Sequence, residues 1–161
     1  MGIWYQIEKT EKGINDFLDC HWGFHDFRIE RVAFIPSRDA VEIFLKYDTG
    51  TEGVLLQFSN FRGINVNVDI DYEADWLYGA SLILRDTNTL LWVAADDVTE
   101  ANEYYQDVLK GLTWVEADRL VWAVTDENGA PVELPYDRLH QIWNSNGTEI
   151  AKDFGFQEVV N

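Results

Sequence analysis

Cysteine is all but missing from this chain: Cys20 is the only one in 161 residues. That excludes an intrachain disulfide and fits a reducing cytoplasm. Basic residues are also scarce. Twelve Lys and Arg stand against 29 Asp and Glu, for a formal net charge of -17 and a pI near 4.3. Such a surface repels phosphate backbones and anionic lipids, which argues against nucleic acid and membranes as partners. It attracts a basic protein instead, and does so faster at low salt. No apolar run reaches about 18 residues, so no membrane-spanning helix is expected. The N-terminus "MGIWYQIEKTEK" lacks a basic stretch followed by a long apolar run, and so does not read as a secretory signal.

Familiar catalytic signatures are missing too. There is no GxxxxGK phosphate loop, no GxGxxG, no GxSxG, no HExxH and no CxxC. The expectation is therefore a non-enzymatic protein with no catalytic residue, no metal and no cofactor. What the chain has in quantity is apolar bulk. Hydrophobic residues make up 47% and aromatics 14%, with seven Trp, which is ample for a globular core without metal or disulfide.

Periodicity supplies the architecture. Residues 8–19 fit a short helix, with Ile14, Phe17 and Leu18 on one face and Gly13 weakening its front half. From His25 the period becomes that of a strand, with Phe27, Ile29, Arg31, Ala33 and Ile35 sharing the face of His25. "AVEIFLKYD" and "VLLQFSNF" read as two further strands. "INVNVDIDY" reads as a separate half-buried strand, Ile64, Val66, Val68, Ile70 and Tyr72 facing inward. "YGASLILRD" and "TLLWVAADD" add two more. Residues 98–110 switch to helical spacing, with Asp97 and Glu100 placed as a capping box. "RLVWAV" and "PVELP" form a hairpin, "PYDRLHQIWN" a short helix, and the tail an edge strand.

The sum is one α+β domain over residues 1–161. It is a β-rich antiparallel meander of about six to eight strands, curved or a partial barrel, with two or three short helices. Residues 1–24 lead in, 25–97 carry the strands, and 98–161 carry helix, hairpin, short helix and tail.

Three places carry the candidate chemistry. The first is "CHWGFHD", residues 20–26. Cys20, His21, His25 and Asp26 are competent metal ligands. Gly23, however, disfavours a helix that would align the two histidines. A strand would set them about 13 Å apart. A Cys20–His25–Asp26 nucleophilic arrangement needs the chain to fold back at Gly23. The plainer reading is a structural corner. Cys20 is buried, Gly23 turns the chain, and His25 with Asp26 bonds exposed backbone at the start of the first strand. Trp22 and Phe24 plug the core.

The second is "DIDYEAD". Asp69, Asp71, Glu73 and Asp75 are spaced by two and stand on one strand face, about 7 Å between neighbours. Ala74 and Ala80 depart from a calcium loop. The face reads as a patch for a basic protein partner. The third is the set of aromatics, of which Trp76, Trp92 and Trp122 are the candidates to line a small-molecule pocket under a curved sheet.

"HDFRIERVAF", "AVEIFLKYD" and "VLLQFSNF" together resemble a loose group of small bacterial proteins of uncharacterised function. These begin with a His-Asp-x-x-Ile/Val strand motif and carry a Leu/Ile-x-Phe-x-Asn/Gly strand. The resemblance covers roughly residues 25 to 72. Some members are read as immunity proteins against polymorphic toxins. The resemblance thus implies a β-rich fold and an inhibitory binding role, and it carries over no catalytic residue. The functional expectation is an acidic cytoplasmic protein that binds a basic partner. A small-molecule-binding domain is the alternative, with an enzyme using His25 and Asp26 behind it.

Overall fold

The computed structural model describes residues 2–47, 52–67, 77–100, 105–145 and 148–161. Its elements are β1 (Trp4–Gln6), α1 (Glu11–Cys20), β2 (Phe27–Ile35), β3 (Ala40–Tyr47), β4 (Gly53–Asn65), β5 (Ser81–Leu84), β6 (Leu90–Val93), α2 (Tyr105–Lys110), β7 (Trp114–Thr125), α3 (Tyr136–Leu139), β8 (His140–Ser145), β9 (Thr148–Asp153) and β10 (Gln157–Val159). This is a β-rich, antiparallel α+β fold. No helix among the described residues is long and apolar enough to cross a membrane.

The long strands β4 and β7 are the spine, paired from Gly53↔Thr125 to Asn65↔Trp114. On one side the sheet runs β4-β3-β2. The far edge of β7 is shared: β6 pairs with residues 114–117 and β1 with 121–122, so β6-β5 and β1-β10 lie side by side along it. The connectivity is thus more than a meander, because the last strand returns to pair with the first. β1 and β10 are three residues each, too short to show a period, and only the tail strand was expected.

α1 begins where the sequence provides a cap. The Thr10 hydroxyl accepts from Gly13 N–H at 3.0 Å, and Glu11 complements the helix dipole in the first turn. Gly13 has a specific role, since a Cβ there would lie 2.4 Å from the Glu8 carbonyl oxygen. Ile14, Phe17 and Cys20 are buried against the sheet. They join Phe24, Phe27, Phe58, Trp92 and Trp122 in the main core. Leu91, Val93 and Leu109 form a smaller cluster between β6 and α2.

Several expected elements are corrected by irregularities in pairing. β2 is bulged between Ile29 and Arg31, so the inward set passes from Phe27 and Ile29 to Val32. Arg31, Ala33 and Ile35 therefore do not continue the face of Phe27. "INVNV" does not begin a new strand. A second shift between Phe61 and Gly63 lets β4 run on, so that Ile64 and Asn65 pair with Val115 and Trp114. Val66 is exposed, and Val68, Ile70 and Tyr72 lie outside the described residues.

Asp97 is not a helix cap. Its φ is 56°, the Ser81 hydroxyl accepts from Val98 N–H, and Glu100 pairs with Arg85. The helix expected over 135–144 stops at Leu139, and β8 pairs with β9 up to Ser145↔Thr148. An Asn-Gly pair between strands favours a two-residue hairpin, a stronger signal than the helix stop it was read as.

Candidate functional site

The segment "CHWGFHD" turns the chain between α1 and β2 and lines one wall of a cleft. α1 ends at Cys20, and Trp22, Gly23 and Phe24 then take φ of 51°, 64° and 62° in succession. Left-handed backbone suits Gly23, but it costs roughly 1–2 kcal/mol at each non-glycine residue. Asp26 follows at φ 66°. The turn is closed by Phe24 N–H to His21 O (2.8 Å) and His25 N–H to Trp22 O (3.2 Å). It is pinned from outside by residues 77–80: Ala80 N–H donates to Gly23 O (2.8 Å) and Asp26 N–H to Leu77 O (3.0 Å).

Side chains offset the strain. Phe24 is fully buried, its ring 5.3 Å from those of Phe17 and Phe27. Trp22 does not plug the core as expected. It is 47% exposed, with the Arg138 guanidinium 3.7 Å from the centre of its ring. That stack is a cation–π contact.

Arg138 belongs to the last turn of a short helix, where sequence reasoning would leave it in solvent. It is instead 3% exposed. Its Nε donates to Glu52 Oε1 at 2.7 Å and its Nη1 to the Cys20 carbonyl at 3.0 Å. Cys20 is buried, and its thiol faces the Arg138 carbonyl oxygen at 3.3 Å. One guanidinium thus ties together the end of α1, the strained turn and the β3–β4 connection. A second ionic cluster docks β9 on α1, with Lys152 Nζ 3.0 Å from Asp16 and 2.8 Å from Asp19. Burial pushes the Asp16 carboxyl up, but bonds from Lys12 and Lys152 outweigh it and hold the group below its ordinary range.

The two histidines diverge. His21 points inward and is fully buried among Phe17, Phe24 and Trp122, with Trp122 edge-on at 4.6 Å. Neither of its ring nitrogens has a hydrogen-bond partner among the described residues. Burial pushes its pKa well below the ordinary value of 6.5, and the nearby Arg138 charge adds to this. His25 points outward, its Nδ1 2.9 Å from Asp26 Oδ2, with both side chains more than half exposed. These side chains therefore pair with each other instead of with backbone.

A cleft of about 570 Å³ opens beside this turn, within the roughly 300–1,000 Å³ range of ligand sites. Ile14 and Leu18 of α1 give it an apolar wall, and Trp22 and His25 come from the turn. Tyr78 comes from the segment leading into β5, Ser81 is the first residue of β5, and Asp96 and Asp97 follow β6. Its floor is tight. A Cβ on Gly79 would meet Asp96 Cβ at 2.7 Å and the Gly23 carbonyl oxygen at 3.4 Å. Gly79 thereby leaves room for the Asp96 side chain, and Tyr78, on the same cleft, is 83% exposed. Asp96 and Asp97 have no hydrogen-bonding or ion-pairing partner among the described residues. The Ser81 hydroxyl is occupied, donating to Ala95 O at 2.7 Å and accepting from Val98 N–H at 3.1 Å.

Asp69, Asp71, Glu73, Asp75 and Trp76 lie outside the described residues. Trp92 and Trp122 are fully buried in the main core and do not line this cleft. The exposed aromatics that line this cleft are Trp22 and Tyr78. Compared with known proteins, the chain matches no family profile, no curated protein and no solved structure.

Proposed function

We propose that this chain works by binding, and that the cleft beside the 22–26 turn receives a basic segment of a protein partner. One observation carries the reading. The chain has a net charge of -17, and on its cleft it sets two exposed aromatics, Trp22 and Tyr78, beside two unpaired carboxylates, Asp96 and Asp97. Aromatic anchors rimmed by charge are the composition of binding hot spots. The acidic surround speeds encounter with a basic partner and excludes polyanions.

Strain points to the same place. Of the seven non-glycine residues with positive φ among those described, Trp22, Phe24, Asp26 and Asp97 lie in this turn or on this wall. Backbone outliers of this kind concentrate where a surface has a task. The Ser81 hydroxyl on this cleft and the lone thiol, Cys20, are both engaged in other hydrogen bonds, so neither stands ready as a nucleophile there. An immunity-like inhibitor of a basic toxin or enzyme in the cytoplasm is the role this surface suits.

The test is calorimetric titration with a synthetic peptide of mixed lysine, arginine and glycine. Asp96→Asn with Asp97→Asn should weaken binding at least tenfold. A control of equal charge, Glu127→Gln with Glu133→Gln on the exposed 126–133 turn region, should weaken it far less. Equal losses from both pairs would mean that net charge alone is at work and that the cleft is not the site.

A further inference from the structure

The turn that walls the cleft has a second property, independent of what the cleft binds. We infer that residues 21–26 form an acid-released latch: protonation of His21 expels its ring and frees the turn, so that the cleft wall comes apart while the sheet stays folded. The site of the ring has no place for a charge. His21 is fully buried, and neither nitrogen has a hydrogen-bond partner among the described residues. Phe17 of α1, Phe24 of the turn and Trp122 of β7 stand around it, with ring centres at 5.4, 5.1 and 4.6 Å. None of these can take up or balance a proton. The charge that faces the ring is Arg138 of α3, a cation. Glu52 is engaged by the Arg138 guanidinium, and the Cys20 thiol by the Arg138 carbonyl. Tyr5 of β1 packs on Trp122 at 5.0 Å, and burial raises the pKa of its phenol, which keeps it neutral. A protonated ring therefore leaves, because an uncompensated buried charge costs more than an exposed one.

The opening stays local because of how the turn is held. The backbone of His21 closes it from within: its N–H donates to Leu18 O at 3.2 Å, and its carbonyl accepts from Phe24 N–H at 2.8 Å. Moving the ring outward turns the residue that carries both bonds. Trp22, Gly23 and Phe24 follow in left-handed backbone, a conformation that persists only while its surroundings impose it. Outside the turn, the Ala80 N–H bond to Gly23 O and the Asp26 N–H bond to Leu77 O pin it to residues 77–80. Burial of Phe24 and the Arg138 stack on Trp22 resist the opening, so it needs the proton. β4 and β7, by contrast, pair from Gly53↔Thr125 to Asn65↔Trp114 without using any residue of the turn. Segments held by few bonds open below the free energy of global unfolding. Trp22, Gly23 and His25 line the cleft from the turn, and Gly79 and Ala80 line it from the segment to which the turn is pinned. Loss of the two pins separates these parts of the lining.

Amide hydrogen exchange, followed by NMR on the full chain between pH 7 and pH 5, tests this. Protection is expressed relative to an unstructured peptide at the same pH. The amides of Phe24, Asp26 and Ala80 should be at least tenfold less protected than the most protected amides of β4 and β7. Their protection should also fall about tenfold for each pH unit below about 6.5, because the open turn gains one proton that the closed turn excludes. His21→Leu fills the same space and takes no proton, so it should hold the protection of these three amides constant across the range. The profile of the native chain decides by itself if that variant does not fold. Turn amides as well protected as those of β4 and β7 would mean that the turn opens only with the whole molecule, and would overturn the latch. Turn protection that does not change with pH would overturn His21 as its trigger.

Discussion

His21 makes the stability of this protein depend on a single proton. In the folded chain its ring is sealed among Phe17, Phe24 and Trp122, without a hydrogen bond, and its pKa lies well below 6.5. In the unfolded chain it takes up a proton near that ordinary value. Below about pH 6.5 the unfolded state therefore binds one more proton than the folded state, and stability falls as pH falls. The stabilisation is fully present above 6.5. It is lost at up to about 1.4 kcal/mol per pH unit while the buried ring stays neutral. Between about pH 7 and pH 5 the loss approaches 2 kcal/mol, a large part of a typical margin of roughly 5–15 kcal/mol.

Arg138 is the charged group that faces this ring, and its guanidinium makes protonation harder still. The carboxylates titrate in another window. Asp16 and Asp118 are held below their ordinary 3.8, so their contributions disappear only at more acidic pH. The assay is urea unfolding followed by Trp fluorescence at several pH values, for the native chain and for His21→Leu. Leucine has a similar size and leaves no orphaned nitrogen. It should add about 1–3 kcal/mol at neutral pH, the cost of burying unsatisfied polar groups. It should also remove about one proton's worth of slope below pH 6.5. Parallel pH profiles for the two proteins would show that His21 is not the linked group, and the account of its burial would fail.

Two further substitutions probe the frame of the cleft. Arg138→Met should destabilise the chain by about 3–5 kcal/mol, because it leaves Glu52 and the Cys20 carbonyl without their partner. Arg138→Lys should recover little of this, since an ammonium cannot stack on Trp22 and fork to two acceptors at once. Chemical denaturation checks both, and full rescue by lysine would argue against the stacked geometry. Gly79→Ala forces a methyl against Asp96 Cβ and should cost about 1–3 kcal/mol as an overpacked site. It should also weaken the basic peptide by displacing Asp96. An unchanged melting temperature with unchanged affinity would mean that the close approach of Gly79 and Asp96 is not needed.

Most strands could be read directly, because alternation is a local property. Val41, Ile43 and Leu45 face the core as their spacing demands. The bulges could not be read, since Glu30 and Arg62 interrupt pairing without interrupting the pattern of residue types around them. β1 escaped because three residues carry no period, and because its stability comes from β7 and β10, which lie more than a hundred positions away. The cleft escaped for the same reason on a larger scale. Trp22, Tyr78 and Asp96 come from separate stretches that only the fold brings together. Nothing in the local pattern of any one of them points to the other two. Gly23 was legible as a turn. Gly79 was not, because what it makes room for is the Asp96 side chain, from a separate part of the sequence.

Among the described residues, the bulky side chains on left-handed backbone lie together. Trp22 and Phe24 hold left-handed backbone that bulky residues avoid, and the adjacent His21 is buried with neither nitrogen satisfied. A glycine at position 24 would relieve the backbone, but it would give up the buried Phe24 ring. The turn is therefore a compromise: the fold tolerates strain because Phe24 and Arg138 anchor it from both sides. One geometric fact links the exceptions. To send Trp22 and His25 outward to the cleft, the chain must reverse at once after α1, and the residue left at the pivot is His21. Its unsatisfied nitrogens are thus a consequence of the same turn that opens the cleft wall. Sequences agree with their folds nearly everywhere, and where they fail to agree, function is the usual reason. Here the failures converge on one turn and the cleft it borders.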